Sequence, residues 1–183
     1  MTKIARQFYP LQLAVLTVSD SRTAENDSSG DLLCQLLTQA GHQLVERAVL
    51  PNNLYQLRAL LSRWIASAEV QVILINGGTG YAADNCTVAA VTPLLDQRVP
   101  GFGELFRQLS WQQLGSAAMQ SGALAGLANG TLVFAMPGSG SACTLAMQQL
   151  ILPQLDGHTG PCNFIPHLKN SPASGCTTAE TGA

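Results

Sequence analysis

The chain has 183 residues, of which 46% are apolar and 11% charged, with a formal net charge of −2. That length favours a single domain, the lack of a basic face argues against nucleic acid as a partner, and no apolar run reaches the ~18 residues of a membrane span. Its five cysteines are scattered, form no C-x-x-C and sit at no ligand spacing from the three histidines, so neither a disulfide framework nor a metal site is expected.

Lys3 and Arg6 precede an apolar stretch too short for a signal peptide, so the chain reads as cytoplasmic. A surface this poor in charge suits a homo-oligomer; a polar surface rich in Gln, Ser and Thr is the alternative. Residues 11–18 read as a strand running into the polar segment Thr17-Val18-Ser19-Asp20-Ser21-Arg22. Ser28 or Ser29 can cap a helix carrying Leu32, Leu33, Leu36 and Leu37 on one face and stopping at Gly41. Residues 43–50 form a second strand, closed by Pro51-Asn52-Asn53, and the next helix carries Leu54, Leu57, Leu61 and Trp64.

The run 70–76 reads as a buried parallel strand and enters Gly77-Gly78-Thr79-Gly80, with a helix expected over 86–96. A strand, a glycine turn and a helix N-terminus together form an anion site, because free N–H groups and the positive end of the dipole face one pocket. The plain alternative is a tight corner with no ligand. Residues 102–114 and 116–128 read as helices, Asn129-Gly130 as a turn, and 131–136 as another buried strand. A second glycine-bearing turn follows at Pro137-Gly138-Ser139-Gly140, then a helix over 141–155. Residues 161–170 read as an extended arm reaching a neighbouring subunit, and 171–183 as a disordered tail, leaving one domain over 1–170.

This order predicts an α/β fold with a largely parallel sheet and helices on both faces. Ligands of such sheets bind beyond the carboxyl ends of the strands, where three loops (17–21, 77–80 and 137–140) are expected to converge. Residues 78–83 match the dinucleotide pattern G-x-G-x-x-A, but Asp96, at the spacing of the ribose-binding acid, has no strand before it. An unrelated nucleotide-binding oxidoreductase is therefore the weakest reading. Glu104 and Arg107 are spaced for an i,i+3 pair. Cys86 at a helix N-terminus would have a lowered thiol pKa, but with no His or Lys nearby in sequence it reads as a structural bystander.

Taken in order, Thr17-Val18-Ser19-Asp20-Ser21-Arg22, Asp27-Ser28-Ser29-Gly30, Gly77-Gly78-Thr79-Gly80, Pro100-Gly101-Phe102-Gly103-Glu104, Pro137-Gly138-Ser139 and the segment 161–169 resemble one family. It is that of molybdenum cofactor biosynthesis proteins B and molybdopterin adenylyltransferases, and the likeness covers most of residues 10–170. The resemblance implies a three-layer α/β/α sandwich with a mostly parallel, mixed sheet, assembled as a hexamer or a trimer. It also implies that molybdopterin and Mg-ATP are the ligands. Nucleotide phosphates would lie on Gly77, Gly78, Thr79 and Gly80, and the pterin against Thr17, Ser19, Asp20, Ser21, Ser121, Pro137, Gly138 and Ser139.

By the same resemblance, the two catalytic aspartates fall at Asn52 and Asn85 here, with Asp84 as a neighbouring carboxylate. The family's Ser-Arg and Pro-Gly-Ser-Pro-Lys become Ser121-Gly122 and Pro137-Gly138-Ser139-Gly140-Ser141, and Asn76 replaces a threonine. Two carboxylates and two cations are thus missing. Asparagine brings no negative charge to Mg²⁺ and cannot act as a general base. Weak or lost adenylyl transfer is expected, with a fully active adenylyltransferase as the alternative.

Overall fold

The computed structural model describes residues 7–171. Its centre is a six-stranded sheet in the order β2-β1-β3-β6-β5-β4. The strands are β1 Gln12–Val18, β2 Gln43–Leu50, β3 Val72–Asn76, β4 Gln97–Arg98, β5 Leu124–Ala128 and β6 Thr131–Met136. Strands β2, β1, β3 and β6 are mutually parallel, whereas β5 runs antiparallel to both β6 and β4. The sheet is mixed and mostly parallel, as expected.

Side chains alternate across each strand and build two cores. Leu13, Val15, Leu74, Phe134 and Met136 meet α1 (Ser28–Gln39), α4 (Pro100–Leu114) and the helical run opened by α5 (Gly140–Leu145). Ala14, Leu16, Val18, Ile73 and Ile75 meet α2 (Leu54–Ala66) and α3 (Thr87–Val91). Both faces are therefore covered, which is why β1, β3 and β6 read as continuous apolar runs.

Capping differs in detail from the sequence reading. Asp27, not Ser28 or Ser29, caps α1 by accepting from the Gly30 N–H at 3.0 Å. At its other end Gly41, at φ +88°, closes the helix with bonds from Gly41 N to Thr38 O and His42 N to Leu37 O. Asn53 caps α2, accepting from Tyr55 N and Gln56 N.

Three expected elements are corrected. The helix over 86–96 shrinks to α3 plus a 3-10 turn at Thr92–Leu94, because Pro93 cannot donate to the helical ladder. The helix over 116–128 is a 3-10 segment, Gly115–Gln120, followed by β5. Asn129 and Gly130 both have positive φ, the geometry of a two-residue hairpin, and a hairpin requires a strand on each side. The helix over 141–155 does form, as α5, a π-helical stretch Ala146–Ile151 and α6 (Leu152–Gln154).

The segment 161–170 is not extended: it carries a 3-10 turn at Ile165–His167. It packs on its own chain at the end of the sheet opposite the strands' carboxyl ends. Ile165 and Leu168 are buried, and the Lys169 N–H donates to Gly130 O at 2.8 Å. Lys169 Nζ donates to Ile65 O and Ser67 O at the C-terminus of α2, and Gln71 Nε2 donates to Lys169 O. The expected tail, apart from Ser171, lies outside the described residues.

Candidate functional site

The chain winds outward in opposite directions from β1 and β3, which makes their shared carboxyl edge a topological switch point. The three loops named from the sequence meet there. Gly77 adopts φ +91°, its N–H donates to Met136 O at 3.0 Å, and a Cβ on it would stand 2.3 Å from Val18 O. A Cβ on Gly138 would meet Gly77 Cα at 3.1 Å. Only glycine allows three backbones to approach this closely. Ser29 Oγ adds a hydrogen bond to Gly138 O at 2.7 Å, joining the start of α1 to the third loop.

Beneath these loops lies a buried polar column. Asn76 Nδ2 donates to Thr17 Oγ1 at 2.8 Å, and Thr17 Oγ1 donates to Asp27 Oδ2 at 2.6 Å. Arg47 Nη2 also reaches Asp27 Oδ2 at 2.9 Å, while its Nη1 reaches Asp31 Oδ1 at 2.6 Å. Burial raises the Asp27 pKa, but the hydrogen bonds from Thr17, Gly30 N–H and Arg47, with the Arg47 charge, outweigh it and leave the carboxyl below its ordinary value. Asp27, Arg47 and Gly30 were not singled out as site residues. The one signal for them was the Asp-Ser-Ser-Gly motif. A Cβ on Gly30 would fall 1.9 Å from Asp27 Oδ2.

On the rim, Asp20 receives both the backbone N–H and the side-chain Nδ2 of Asn52, at 2.8 and 2.7 Å. Those bonds hold the Asp20 pKa below its ordinary value. The Asn52 Oδ1 is buried without a hydrogen-bond partner and faces Gly78. Asn85 stands by the same turn, its Nδ2 beside Gly80. Ser19 Oγ accepts from the N–H groups of Ser21 and Arg22. Asp84 is exposed. Ser139 caps α5 through Ala142 N, and Pro137 O accepts from Cys143 Sγ.

The glycine turn offers donors. No hydrogen bond from the N–H of Gly78, Thr79 or Gly80 is found among the described residues. The following helix contributes less than expected: α3 is five residues long, and its Thr87 N–H is already spent on Gly78 O at 3.0 Å. The helix N-terminus does not lower the Cys86 thiol pKa, in keeping with the bystander reading. Burial, together with the nearby Asp20 and Asp84 charges, raises the Cys86 thiol pKa.

Thr79, Gly80, Asn85 and Ser121 border a cleft of about 780 Å³ that also takes in Arg58, Arg98 and Arg107. These arginines were not read as site residues, because they come from three separate elements. The expected pair between Glu104 and Arg107 is not formed among the described residues. No group of three or more His, Cys, Asp or Glu side chains suited to a metal occurs among the described residues. Asp96 is far from the switch point, its carboxylate accepting from Asn129 N at 2.7 Å, which removes the residue the dinucleotide reading needed.

The fold and its glycine-lined switch point define a doubly wound α/β protein whose three loops meet at the carboxyl edge of its sheet. Residues 14–157 match the family described as "Probable molybdopterin binding domain", and the chain belongs to that family. Its relatives include molybdenum cofactor biosynthesis protein B of Escherichia coli K12, 49% identical over 92% of this chain and 99% of that protein. The protein of the same name from Halalkalibacterium halodurans is 44% identical over 79% of this chain and 85% of its own length.

A crystal structure of a molybdenum cofactor biosynthesis protein B superposes with a TM-score of 0.78 at 40% identity, covering 80% of this chain and 92% of that one. The tungsten cofactor synthesizing protein MoaB of Pyrococcus furiosus gives a TM-score of 0.69 at 28% identity, over 76% of this chain and 89% of its own. The chain is thus a member of the molybdenum cofactor biosynthesis family, and the reading as an unrelated oxidoreductase falls away.

Proposed function

We propose that this chain binds molybdopterin at the β1/β3 switch point and serves molybdenum cofactor biosynthesis in the cytoplasm as a homo-oligomer, with adenylyl transfer from Mg-ATP weak or lost. The observation that carries the binding reading is the meeting of Val18, Gly77 and Gly138 in backbone contact, beside turn N–H groups that have no acceptor in the described chain. Such donors suit a terminal phosphate. Ser19, Asp20 and Ser21 on one side and Pro137, Gly138 and Ser139 on the other flank the place a heterocycle would occupy.

The reading of reduced transfer rests on Asn52 and Asn85. Asn52 has its amide nitrogen tied to Asp20, and Asn85 turns its nitrogen toward Gly80, so neither brings a carboxylate to a magnesium ion. Asp84 remains exposed on the turn before α3, where it favours the start of that helix. The exposed Trp111, Leu114 and Met119 support the oligomer reading, with hexamer favoured over trimer.

Incubating the protein with molybdopterin and Mg-ATP and measuring adenylylated product tests this directly. Saturable molybdopterin binding with little turnover is expected. Brisk turnover would establish the active adenylyltransferase instead, and no molybdopterin binding would remove the proposal.

A further inference from the structure

Six arginines fall among the described residues. Arg22, Arg47 and Arg63 form ion pairs with Asp27, with Asp27 and Asp31, and with Glu46. Arg58, Arg98 and Arg107 form none among the described residues, and all three line the one cleft beside Thr79, Gly80 and Asn85. No carboxylate lines that cleft itself; Glu104 lines the adjoining cavity that Arg98 and Arg107 also border, without an ion pair to either among the described residues. Unpaired guanidinium groups repel one another, so gathering three in one concavity is unfavourable unless an anion completes the site.

Their attachments agree with that function. Arg58 donates from Nη2 to Ala89 O at 3.0 Å, and its Nε is buried with no acceptor in the described chain. Arg107 folds back along α4, so that its terminal nitrogens would lie 3.1 and 3.2 Å from a Cβ at Gly103. Arg98 stands on the edge strand β4, opposite Gly126, and is exposed. At position 122 the backbone leaves no room for a cation, since a Cβ there would lie 1.9 Å from Thr79 O. Positive charge in this cleft therefore comes from α2, β4 and α4.

We infer that this cleft binds a polyphosphate chain directly, with guanidinium groups in the role that a divalent metal ion otherwise fills. The inference deepens the reading of the glycine turn as a phosphate-binding edge and rests on it. Geometry and charge agree. A linear phosphate chain seated on the Gly78, Thr79 and Gly80 N–H groups would extend toward Arg58, Arg98 and Arg107. Guanidinium donors bind phosphate oxygens in pairs without the carboxylates that a magnesium ion needs. The Asn85 Nδ2 beside Gly80 presents a further donor to the same ligand.

Calorimetric titration of the full chain with sodium tripolyphosphate and with ATP, each in EDTA and each with Mg²⁺, tests the inference. Tripolyphosphate or ATP is expected to bind in EDTA, more weakly as salt is added, and Arg98→Gln to cut the affinity by roughly tenfold. Tighter binding of ATP than of tripolyphosphate assigns the cleft to a nucleotide, and equal binding assigns it to the phosphate chain alone.

Binding only in the presence of Mg²⁺ overturns the inference, as does no binding of either probe. Undiminished binding by both Arg98→Gln and Arg107→Gln overturns it as well. Arg98 is exposed on the rim, so its variant folds, and far-ultraviolet circular dichroism verifies this. Molybdopterin titrated onto the same proteins reports on the pterin reading separately. A wild type that takes tripolyphosphate but not molybdopterin keeps this inference and removes that one.

Discussion

Thr17 and Asn76 are register partners on adjacent parallel strands, and the Asn76 Nδ2 donates to the Thr17 hydroxyl at 2.8 Å. The hydroxyl in turn donates a hydrogen bond to the buried Asp27 carboxylate at 2.6 Å. One threonine therefore links β3 to the cap of α1 directly under the point where the three loops meet. Replacing it with the isosteric valine leaves Asp27 and Asn76 each short of a partner. Thr17→Val is expected to cost about 1–3 kcal/mol, measured by urea unfolding, with Thr17→Ser close to wild type. A valine variant as stable as wild type would show that water replaces the hydroxyl.

Asp27 also sets a pH dependence. Its folded pKa lies below the ordinary carboxylate value of ~3.9. The carboxylate's contribution is therefore complete above that value and is lost as pH falls through the lower folded value. Thermal melts are expected to give Asp27→Asn a lower Tm than wild type at neutral pH, with the two converging in strong acid. Parallel Tm curves over the acid range would refute the assignment.

Two glycines make a paired test of backbone strain. Gly77→Ala forces a side chain into φ +91° and against Val18 O, and is expected to cost about 1–3 kcal/mol. Gly101, on α4, has open space around its missing Cβ. Gly101→Ala should stabilise by roughly 0.5–1 kcal/mol. Denaturation midpoints check both, and a harmless Gly77→Ala would show that the three loops are held less tightly than the contacts require.

Asn85→Asp places a carboxylate beside Gly80. In the adenylylation assay with Mg-ATP, a gain of about tenfold or more is expected if the surrounding geometry is competent. Binding of tripolyphosphate in EDTA should weaken in the same variant, because an acceptor charge replaces a donor. No change in either readout would place Asn85 outside the ligand's reach.

Lys169 holds the C-terminus of α2 through its bonds to Ile65 O and Ser67 O. Lys169→Met is expected to lower stability by about 1–3 kcal/mol without changing the hydrodynamic radius. Ending the chain at residue 160 should destabilise it further, since Ile165 and Leu168 are buried. A stable truncated protein of smaller assembly size would instead return 161–170 to the role of an intersubunit arm.

The continuous apolar runs at 11–18, 70–76 and 131–136 were legible as buried parallel strands, because a strand covered on both faces carries no polar alternation. The glycines at 77, 78 and 138 were legible as corners for the same local reason. Elements decided by partners were not. Residues 124–128 are short and weakly patterned, and they become a strand only because the Asn129-Gly130 hairpin lays them antiparallel along β6. Residues 161–170 carry no period, and their place follows from Lys169 finding carbonyls about a hundred residues away in sequence.

The site divides in the same way. By itself the sequence determined the loops that would meet, since strand, corner and helix are written into adjacent residues and parallel topology puts strand ends on one edge. It also put asparagine, and so no carboxylate, at positions 52 and 85, which follows from residue identity alone. Only the tertiary structure decided where the positive charge stands. Arg58, Arg98 and Arg107 lie on α2, β4 and α4, and nothing in their spacing joins them until the sheet closes those elements around one cleft. The burial of Asp27 between Thr17 and Arg47 was settled there too, because a carboxylate's surroundings are made by chain segments that meet only in the folded state.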